Sequence, residues 1–171
     1  MSHLEIREAT VDDIPAIIDA QLATWIATYA GLGDITKQDI RQIDFHANAP
    51  QMQLEIQNAG PHRYWVVASD EQVVGYGYAI NNPEKPEIKS LYILPTQQGS
   101  GLGSKLMNEM LTFLADHEVV FVDVIALNEG AIRFYERFGF KEYSRRMSTR
   151  FLGEAGKTVE VVQMKKVSKG N

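Results

Sequence analysis

The segment Ile93–Leu106, which reads ILPTQQGSGLGSKL, constrains this chain more than any other part of its sequence. It places three alternating glycines, Gly99, Gly101 and Gly103, between a predicted strand and an amphipathic helix. Glycine lets successive backbone N–H groups point inward without obstruction by a Cβ atom, and a helix N-terminus adds about half a positive charge. Because a simple tight turn does not need three glycines, the segment predicts a cradle for phosphate groups.

The glycine spacing excludes two common nucleotide motifs. The dinucleotide fingerprint G-x-G-x-x-G requires its third glycine one position later than Gly103. The Walker A pattern G-x-x-x-x-G-K-S/T, counted from Gly99, would place Ser104 where glycine is needed and Leu106 where serine or threonine is needed. The phosphate ligand is therefore predicted to be of another kind.

The remaining sequence predicts one α+β domain over residues 4–166, followed by a flexible tail at 167–171. Alternating and β-branched stretches predict strands at Leu4–Glu8, Tyr64–Ser69, Val73–Asn81, Glu87–Leu94, Val119–Leu127, Glu142–Phe151 and Thr158–Lys166. Apolar residues at helical spacing predict helices from Thr10 to Tyr29, Thr36 to Asn58, Gly101 to His117 and Asn128 to Phe138. We expect the second helix to break near Pro50, because proline cannot continue an interior turn.

Composition narrows the range of functions. The 171 residues include 17 basic and 22 acidic side chains, and this excess of acid argues against a nucleic-acid partner. The chain has no cysteine, which excludes disulfides, thiolate metal sites and a catalytic cysteine, and its four histidines lack ligand spacing, so no metal is expected. No apolar run approaches the roughly 20 residues of a membrane span, and no signal sequence is recognisable, so we expect a cytoplasmic protein without a membrane partner.

Two motifs together resemble one known family. Gln98, Gly101 and Gly103 match the coenzyme A pyrophosphate pattern Q/R-x-x-G-x-G/A, and Asn128–Phe140 matches N-x-x-A-x-x-F/Y-Y-x-x-x-G-F. In this order and at this separation, they make the sequence similar to the GNAT superfamily of N-acetyltransferases. The resemblance implies the GNAT fold: a mixed, mostly antiparallel central sheet flanked by about four helices, with a splayed strand pair holding coenzyme A.

The resemblance also implies acetyl-CoA as co-substrate and assigns residues to it. The loop would bind the pyrophosphate, the backbone of Ile93 and Leu94 would bind pantetheine and the thioester oxygen, and Asn128 would contact the coenzyme A arm while capping its helix. The implied cofactor-binding residues are Ile93, Leu94, Gln98, Gly99, Ser100, Gly101, Leu102, Gly103, Ser104 and Asn128.

Tyr135 is the candidate catalytic acid. It matches the family tyrosine that protonates the departing thiolate. Ala131, Phe134 and Phe138 lie on the same apolar stripe, so packing is the alternative role for Tyr135.

Glu87 is the candidate catalytic base. It opens a predicted strand 11 residues before Gln98, where some family members carry a carboxylate that deprotonates the amine directly or through water. Many members use ordered water alone, and a charged residue flanking a proline needs no special role. Strand alternation predicts that Glu87, Lys89 and Leu91 share one face.

The sequence says less about the residues that bind the acceptor. Trp25, Thr28, Tyr29 and Gly31-Leu32 resemble a pattern of family members that acetylate small amines or peptide N-termini. Trp25 and Tyr29 are the candidate substrate-binding residues, because aromatic walls favour cationic ligands, although an aromatic pair on a helix is more often core than pocket. Asp39, Asp44 and Glu55 could attract a polyamine or form a solvated helix face.

The resulting prediction is an N-acetyltransferase that moves the acetyl group of acetyl-CoA to a primary amine of a small-molecule acceptor, such as a polyamine or amino acid, by direct ternary-complex transfer. The alternatives are N-terminal or lysine acetylation of a protein, and a coenzyme A sensor without turnover. Many relatives are homodimers, and the sequence does not decide whether this chain is one.

Overall fold

The computed structural model describes residues 3–168, which form a seven-stranded sheet in the order β1-β2-β3-β4-β5-β7-β6. The strands are β1 (Leu4–Glu8), β2 (His62–Ser69), β3 (Gln72–Ile80), β4 (Glu87–Ile93), β5 (Val119–Ile125), β6 (Phe140–Ser148) and β7 (Val159–Val167). Neighbouring strands are antiparallel except β4 and β5, which run parallel. The predicted mixed, mostly antiparallel sheet is confirmed.

The helices are α1 (Ile14–Tyr29), α2 (Lys37–Arg41), α3 (Ala49–Gln57), α4 (Leu102–Phe113) and α5 (Glu129–Arg137). The predicted break near Pro50 is wrong. Pro50 lies in the first turn of α3, where its missing N–H is not needed, and the chain leaves helical conformation earlier, between α2 and Asp44. Asp44 marks that boundary by accepting a hydrogen bond from the N–H of Ala47 at 3.2 Å.

The sheet separates two cores. Helices α4 and α5 cover one face, where Leu106, Met110 and Val122 are buried. Helices α1, α2 and α3 cover the other, where Ile17 and Tyr76 are buried. A ligand that passes between two strands of this sheet would therefore connect the α4–α5 side with the α1–α3 side.

The parallel strands β4 and β5 provide such an opening. They pair only at Glu87↔Phe121 and Ile88↔Val122, after which β4 follows β3 and β5 follows β7. The gap between them widens toward the start of α4. This is the splayed strand pair that the family resemblance implies.

The last described residues, Val167 and Ser168, are hydrogen-bonded into the sheet or directly beside it. Val167 is the last residue of β7, and the N–H of Ser168 donates to the carbonyl of Glu118 at 2.7 Å. The rest of the predicted tail, residues 169–171, lies outside the described residues. Within 3–168, no helix combines the length and the apolar character that crossing a bilayer requires.

Candidate active site

A pocket of about 560 Å³ occupies the gap between β4 and β5. Its walls come from the end of β4, the start of α4, one side of α5 and one side of α1. Of the predicted site residues, it is lined by Ile93, Gln98, Gly99, Gly101, Leu102, Gly103, Ser104, Asn128 and Tyr135. Leu94, Ser100, Glu87, Trp25 and Tyr29 are not among its lining residues. The structure therefore gathers most of the predicted cofactor set with the candidate acid.

The glycine-rich turn presents backbone donors to this pocket. Gly99 and Gly101 have φ values of +79° and +81°, a left-handed conformation that glycine adopts without strain. Gly101 is the N-cap of α4 and supplies no side-chain cap. The N–H groups of Gly99, Ser100 and Gly101 have no acceptor within residues 3–168, and those of the first helical turn have none inside the helix. The turn therefore fits the pyrophosphate of coenzyme A, because it offers unsatisfied donors at a positive helix end.

The loop is tied to the strand that precedes it. Gln98 Nε2 donates to the carbonyl of Ile93 at 3.0 Å. Leu94 donates its N–H to Val74 at 2.8 Å and accepts from the N–H of Gln97 at 2.8 Å. Both backbone groups of Leu94 are thus used inside the protein, so its predicted backbone contact with the co-substrate does not follow from this structure. Ile93 retains only its N–H for that role.

Strand alternation identifies the free edge of β4. Successive residues direct their backbone groups to opposite edges of a strand, and the N–H of Leu94 points to β3. The backbone groups of Leu91 and Ile93 therefore point into the gap. The sequence motifs do not single out Leu91, because its role depends on backbone direction and not on its side chain.

Tyr135 projects from α5 into the pocket and is 7% exposed. Its ring packs against Phe134 and Phe140 at centroid distances of 5.5 and 5.6 Å, while its hydroxyl makes no hydrogen bond within the described part of the chain. Burial, aided by the nearby Tyr29, raises the pKa of Tyr135. The ring of Tyr135 thus packs in the core, as the structural role predicts. Its hydroxyl remains protonated and available to the pocket, as the role of catalytic acid requires.

Helix α1 carries two polar residues at the pocket, of which the sequence pattern includes Thr28 but not Thr24. Thr24 and Thr28, one helical turn apart, line the pocket. Their neighbours Trp25 and Tyr29 are each 5% exposed and belong to the core under α1, where their rings contact each other in a tilted arrangement with centroids 4.8 Å apart. Substrate contact by Trp25 and Tyr29 stays a prediction, while the threonines are the α1 side chains that face the cavity.

Thr24 is exceptional among buried polar groups. It is 3% exposed, and its Oγ1 is the one buried side-chain oxygen or nitrogen of residues 3–168 without a hydrogen-bond partner. A helical threonine ordinarily bonds to a carbonyl of the preceding turn, and a buried unpaired hydroxyl costs about 1–3 kcal/mol. Because this hydroxyl belongs to a pocket-lining residue, a bound ligand could satisfy it.

Asn128 connects both walls of the gap. Its Oδ1 accepts from the N–H of Ala131 at 3.1 Å, which confirms the predicted helix cap, and its Nδ2 donates to the hydroxyl of Tyr29 at 3.1 Å. Burial raises the pKa of Tyr29, although this hydrogen bond opposes the shift. Asn128 therefore holds α1 against the start of α5 at the edge of the pocket.

Glu87 lies at the closed end of the gap and is 7% exposed. Its Oε1 is 3.8 Å from Lys85 Nζ and its Oε2 is 3.7 Å from Lys89 Nζ, distances longer than hydrogen bonds. No side chain or backbone group of residues 3–168 donates a hydrogen bond to it. The carboxylate is therefore charge-balanced and retains its capacity to accept a proton or a hydrogen bond.

The predicted common face of Glu87 and Leu91 is wrong. Ile88 and Leu91, three positions apart, both pack into the α4–α5 core, so the alternation is interrupted between them. The cause is an irregularity in the β3–β4 register opposite Tyr78, which adds one residue to β4. Glu87 consequently faces the α1–α3 side, on the same side as Tyr92.

The acidic residues of α2, α3 and the turn between them are engaged locally. Asp39 accepts from Lys157 Nζ at 2.8 Å, which together with bonds from Thr36 lowers the pKa of Asp39 to about 2. Asp44 caps a turn, and Glu55 accepts from the hydroxyl of Tyr64 at 2.6 Å. These carboxylates are therefore committed to structure, and a polyamine is not favoured by them.

Comparison with known proteins places this geometry in a family. The model of the acetyltransferase (GNAT) family matches residues 27–140. An uncharacterised N-acetyltransferase of Mycobacterium tuberculosis is 36% identical over 75 residues, covering 42% of this chain and 48% of that protein. The N-alpha-acetyltransferase RimI of the same organism is 32% identical over 93 residues, covering 52% of this chain and 58% of that protein. The chain spans about half the length of the curated relatives it matches.

Solved structures share the whole fold at low identity. The PaiA N-acetyltransferase from Thermoplasma acidophilum, in complex with coenzyme A, has a TM-score of 0.79 at 20% identity, covering 97% of this chain and 99% of that one. The ribosomal-protein-alanine N-acetyltransferase from Brucella melitensis has a TM-score of 0.70 at 20% identity, covering 96% and 99%. Since the family model spans more than half of the sequence, and the sheet has the splayed strands expected of it, this chain belongs to the acetyltransferase (GNAT) family.

Proposed function

We propose that this protein transfers the acetyl group of acetyl-CoA to the primary amine of a small-molecule acceptor, with both substrates bound together. One observation carries the proposal: a single pocket joins the unsatisfied N–H groups at the start of α4 to the free hydroxyl of Tyr135. Phosphate recognition and proton donation would thus take place at two ends of one channel through the sheet.

The chain's own groups can hold the co-substrate along this channel. The N–H groups of Gly99 to Gly101 and of the first turn of α4 would bind its pyrophosphate. The free edge of β4 at Leu91 and Ile93 would pair with the pantetheine arm as a neighbouring strand would, because β5 has moved away. Acetyl-CoA held in this way would supply an activated acyl carbon for the transfer.

Two side chains would transfer the protons of the reaction. An alkylammonium has a pKa near 10.4, so the acceptor must lose a proton before its nitrogen can attack. The Glu87 carboxylate would take that proton through water, since four residues of strand, about 13 Å, separate Glu87 from Leu91. As the new N–C bond forms and the C–S bond breaks, the Tyr135 hydroxyl would donate its proton to the departing sulfur. Solvent then reprotonates Tyr135 and deprotonates Glu87.

A small acceptor is favoured by the way the acceptor side is covered. Lys157, in the connection between β6 and β7, donates to the carbonyl of Asp34 at 2.6 Å and to Asp39 at 2.8 Å. Glu154 in the same connection accepts from the N–H of Asp44 at 2.8 Å. These bonds join the β6–β7 connection to the α2 region, and an acceptor side bridged in this way favours a small acceptor over an extended polypeptide.

The test is thiol release from acetyl-CoA with a panel of monoamines, polyamines, amino acids and peptides, with acetylated products identified by mass. Release with small amines is expected. Acetylation of peptides or protein N-termini alone would favour a protein acceptor. The names of two of the similar proteins describe this activity. Tight binding of acetyl-CoA without release for any amine would favour a sensor.

A further inference from the structure

Six charged side chains form a cluster on the α1–α3 side of the sheet, beside the closed end of the gap. The cluster, called here the charged face, consists of two ion-pair groups, Lys85–Glu87–Lys89 and Asp123–Arg146–Arg150. The two groups meet at Lys89, which is close enough to Arg150 and Asp123 for their charges to act on it. Its side of the sheet follows from alternation along β5, where Val122 and Val124 are buried under α4 and α5 while Asp123 between them faces the other way.

The two acids of the charged face are buried beneath its cations. Asp123 has a side chain only 5% exposed and accepts from Arg146 Nη2 at 2.7 Å, while Arg150 Nη1 lies 3.5 Å away. Glu87 lies between Lys85 and Lys89. In contrast, the side chains of both arginines and of Lys85 are about 40% exposed. The solvent-facing layer of the cluster is therefore cationic.

The cluster carries more positive than negative charge, with four cations against two carboxylates. Lys89 is the most buried of the cations, and its side chain is 19% exposed. Burial lowers the pKa of Lys89, and the charges of Arg150 and Lys85 act in the same direction, against the carboxylates of Glu87 and Asp123. An anion bound beside Lys89 and Arg150 would relieve this mutual repulsion.

The position of the charged face makes its ligand the acceptor and not the co-substrate. The phosphate cradle lies at the opposite end of β4, beyond Ile93, whereas Lys89 is two residues from Glu87 and two from Leu91. A molecule anchored at Lys89 would present its other groups to the proposed base and to the acyl-transfer end of the gap.

Resting on the proposed function, we infer that the acceptor carries an anionic group in addition to its primary amine, and that Lys89 and Arg150 bind this anion. A small amino acid, or an amine bearing phosphonate or phosphate, has this chemistry. A polyamine has the opposite chemistry, because each added ammonium would approach a face that is already positive.

The experiment compares matched acceptors that differ only in the anion. Initial rates of thiol release are measured for amino acids, for the corresponding carboxamides and decarboxylated amines, for aminophosphonates and for spermidine. We expect kcat/KM to be at least about tenfold higher for acceptors with an anion, as a charge-assisted hydrogen bond provides. The carboxylate and phosphonate arms identify which anion is preferred.

Lys89→Met then locates the anion site. The variant should raise KM for the anionic acceptor about tenfold and KM for the matched neutral amine much less, with acetyl-CoA affinity unchanged. Because Lys89 Nζ is 3.7 Å from Oε2 of the proposed base Glu87, a change in kcat is expected to be the same for both acceptors. Lys141→Met, at an exposed position of edge strand β6, is the control and should change neither the KM of an acceptor nor the affinity for acetyl-CoA. Equal or better turnover of spermidine and neutral amines, or an unchanged KM in Lys89→Met, would overturn the inference while leaving acetyl transfer intact. Absence of release with every amine would overturn the proposed function as well.

Discussion

Trp25 Nε1 donates a hydrogen bond of 3.1 Å to the hydroxyl of Tyr92, which ties helix α1 to the free end of β4. The bond from Asn128 Nδ2 to the hydroxyl of Tyr29 ties the same helix to α5 on the other side of the gap. Together they fix the wall on which Thr24 faces the pocket. The aromatic residues of α1 thereby brace the wall of the pocket, and their direct contact with the acceptor stays a prediction.

Replacing Tyr135 with phenylalanine tests the proton donor. The ring contacts with Phe134 and Phe140 are retained and only the pocket-facing hydroxyl is lost. We expect kcat to fall by about 10²-fold, a typical loss for one acid–base group, with the dissociation constant of acetyl-CoA unchanged. Tyr143→Phe removes a hydroxyl from an exposed tyrosine and should leave turnover intact. Unchanged kcat in Tyr135→Phe at saturating substrates would remove Tyr135 from the mechanism.

Glu87→Gln tests the base while preserving size and polarity. At saturating acceptor, the wild-type kcat should decline toward acidic pH, because a protonated carboxylate cannot accept the amine proton. The variant should lose this acidic limb and run about 10²-fold slower above it. Glu84→Gln, at an exposed position of the preceding loop, should keep the wild-type profile. Persistence of the limb in Glu87→Gln would assign the proton transfer to water alone.

The parts of the site that the sequence could predict are those built from neighbouring residues. The left-handed conformation of Gly99 and Gly101 and the helix cap formed by Asn128 depend only on residues a few positions away. The spacing of these residues in the sequence therefore predicts their geometry. The gap between β4 and β5 was implied by family resemblance, because the strand pattern alone does not say where two strands part.

The parts that the sequence could not predict depend on long-range packing. The irregularity in β4 that separates Glu87 from Leu91 arises from pairing with β3 at Tyr78, and no local residue signals it. The spacing of apolar residues along α1 is compatible with Trp25 in the core and with Trp25 at the pocket. Only the placement of α1 over β4 shows that Thr24 and Thr28, and not Trp25, line the cavity.

Thr24→Val should move stability and activity in opposite directions. Valine keeps the shape of threonine and removes a buried hydroxyl that has no partner in the protein, so the ligand-free protein should gain up to about 1–3 kcal/mol in free energy of unfolding. If a bound substrate satisfies this hydroxyl, kcat/KM should fall about tenfold in the valine variant and much less in Thr24→Ser. Thermal denaturation and steady-state rates measure the two effects, and equal rates for wild type and valine would show that Thr24 makes no contact with substrate.

Alanine at two glycines of the cradle should have contrasting effects. Gly101 is left-handed, so Gly101→Ala should cost about 1–2 kcal/mol, lower Tm by roughly 2–8 °C and weaken acetyl-CoA binding. Gly103 lies within α4, and an added Cβ would be 3.6 Å from Phe134, an ordinary contact. Gly103→Ala should therefore leave Tm unchanged or slightly higher. Equal loss of Tm in both variants would contradict the conformational explanation.

Asp39 links α2 to the β6–β7 connection through Lys157, and the pair should govern how the fold responds to acid. The pKa of Asp39 is lowered to about 2 in the folded protein, against about 3.9 for an unfolded chain. The stabilisation is therefore fully present above pH 4 and is lost as the pH falls through 2, because the unfolded state binds the proton more readily. Asp39→Asn should lower Tm at pH 7 and flatten its decline between pH 4 and pH 2, as measured by thermal denaturation. Asp19→Asn, on the exposed side of α1, is the matched control, and an equally steep acid decline in Asp39→Asn and Asp19→Asn would contradict the assignment.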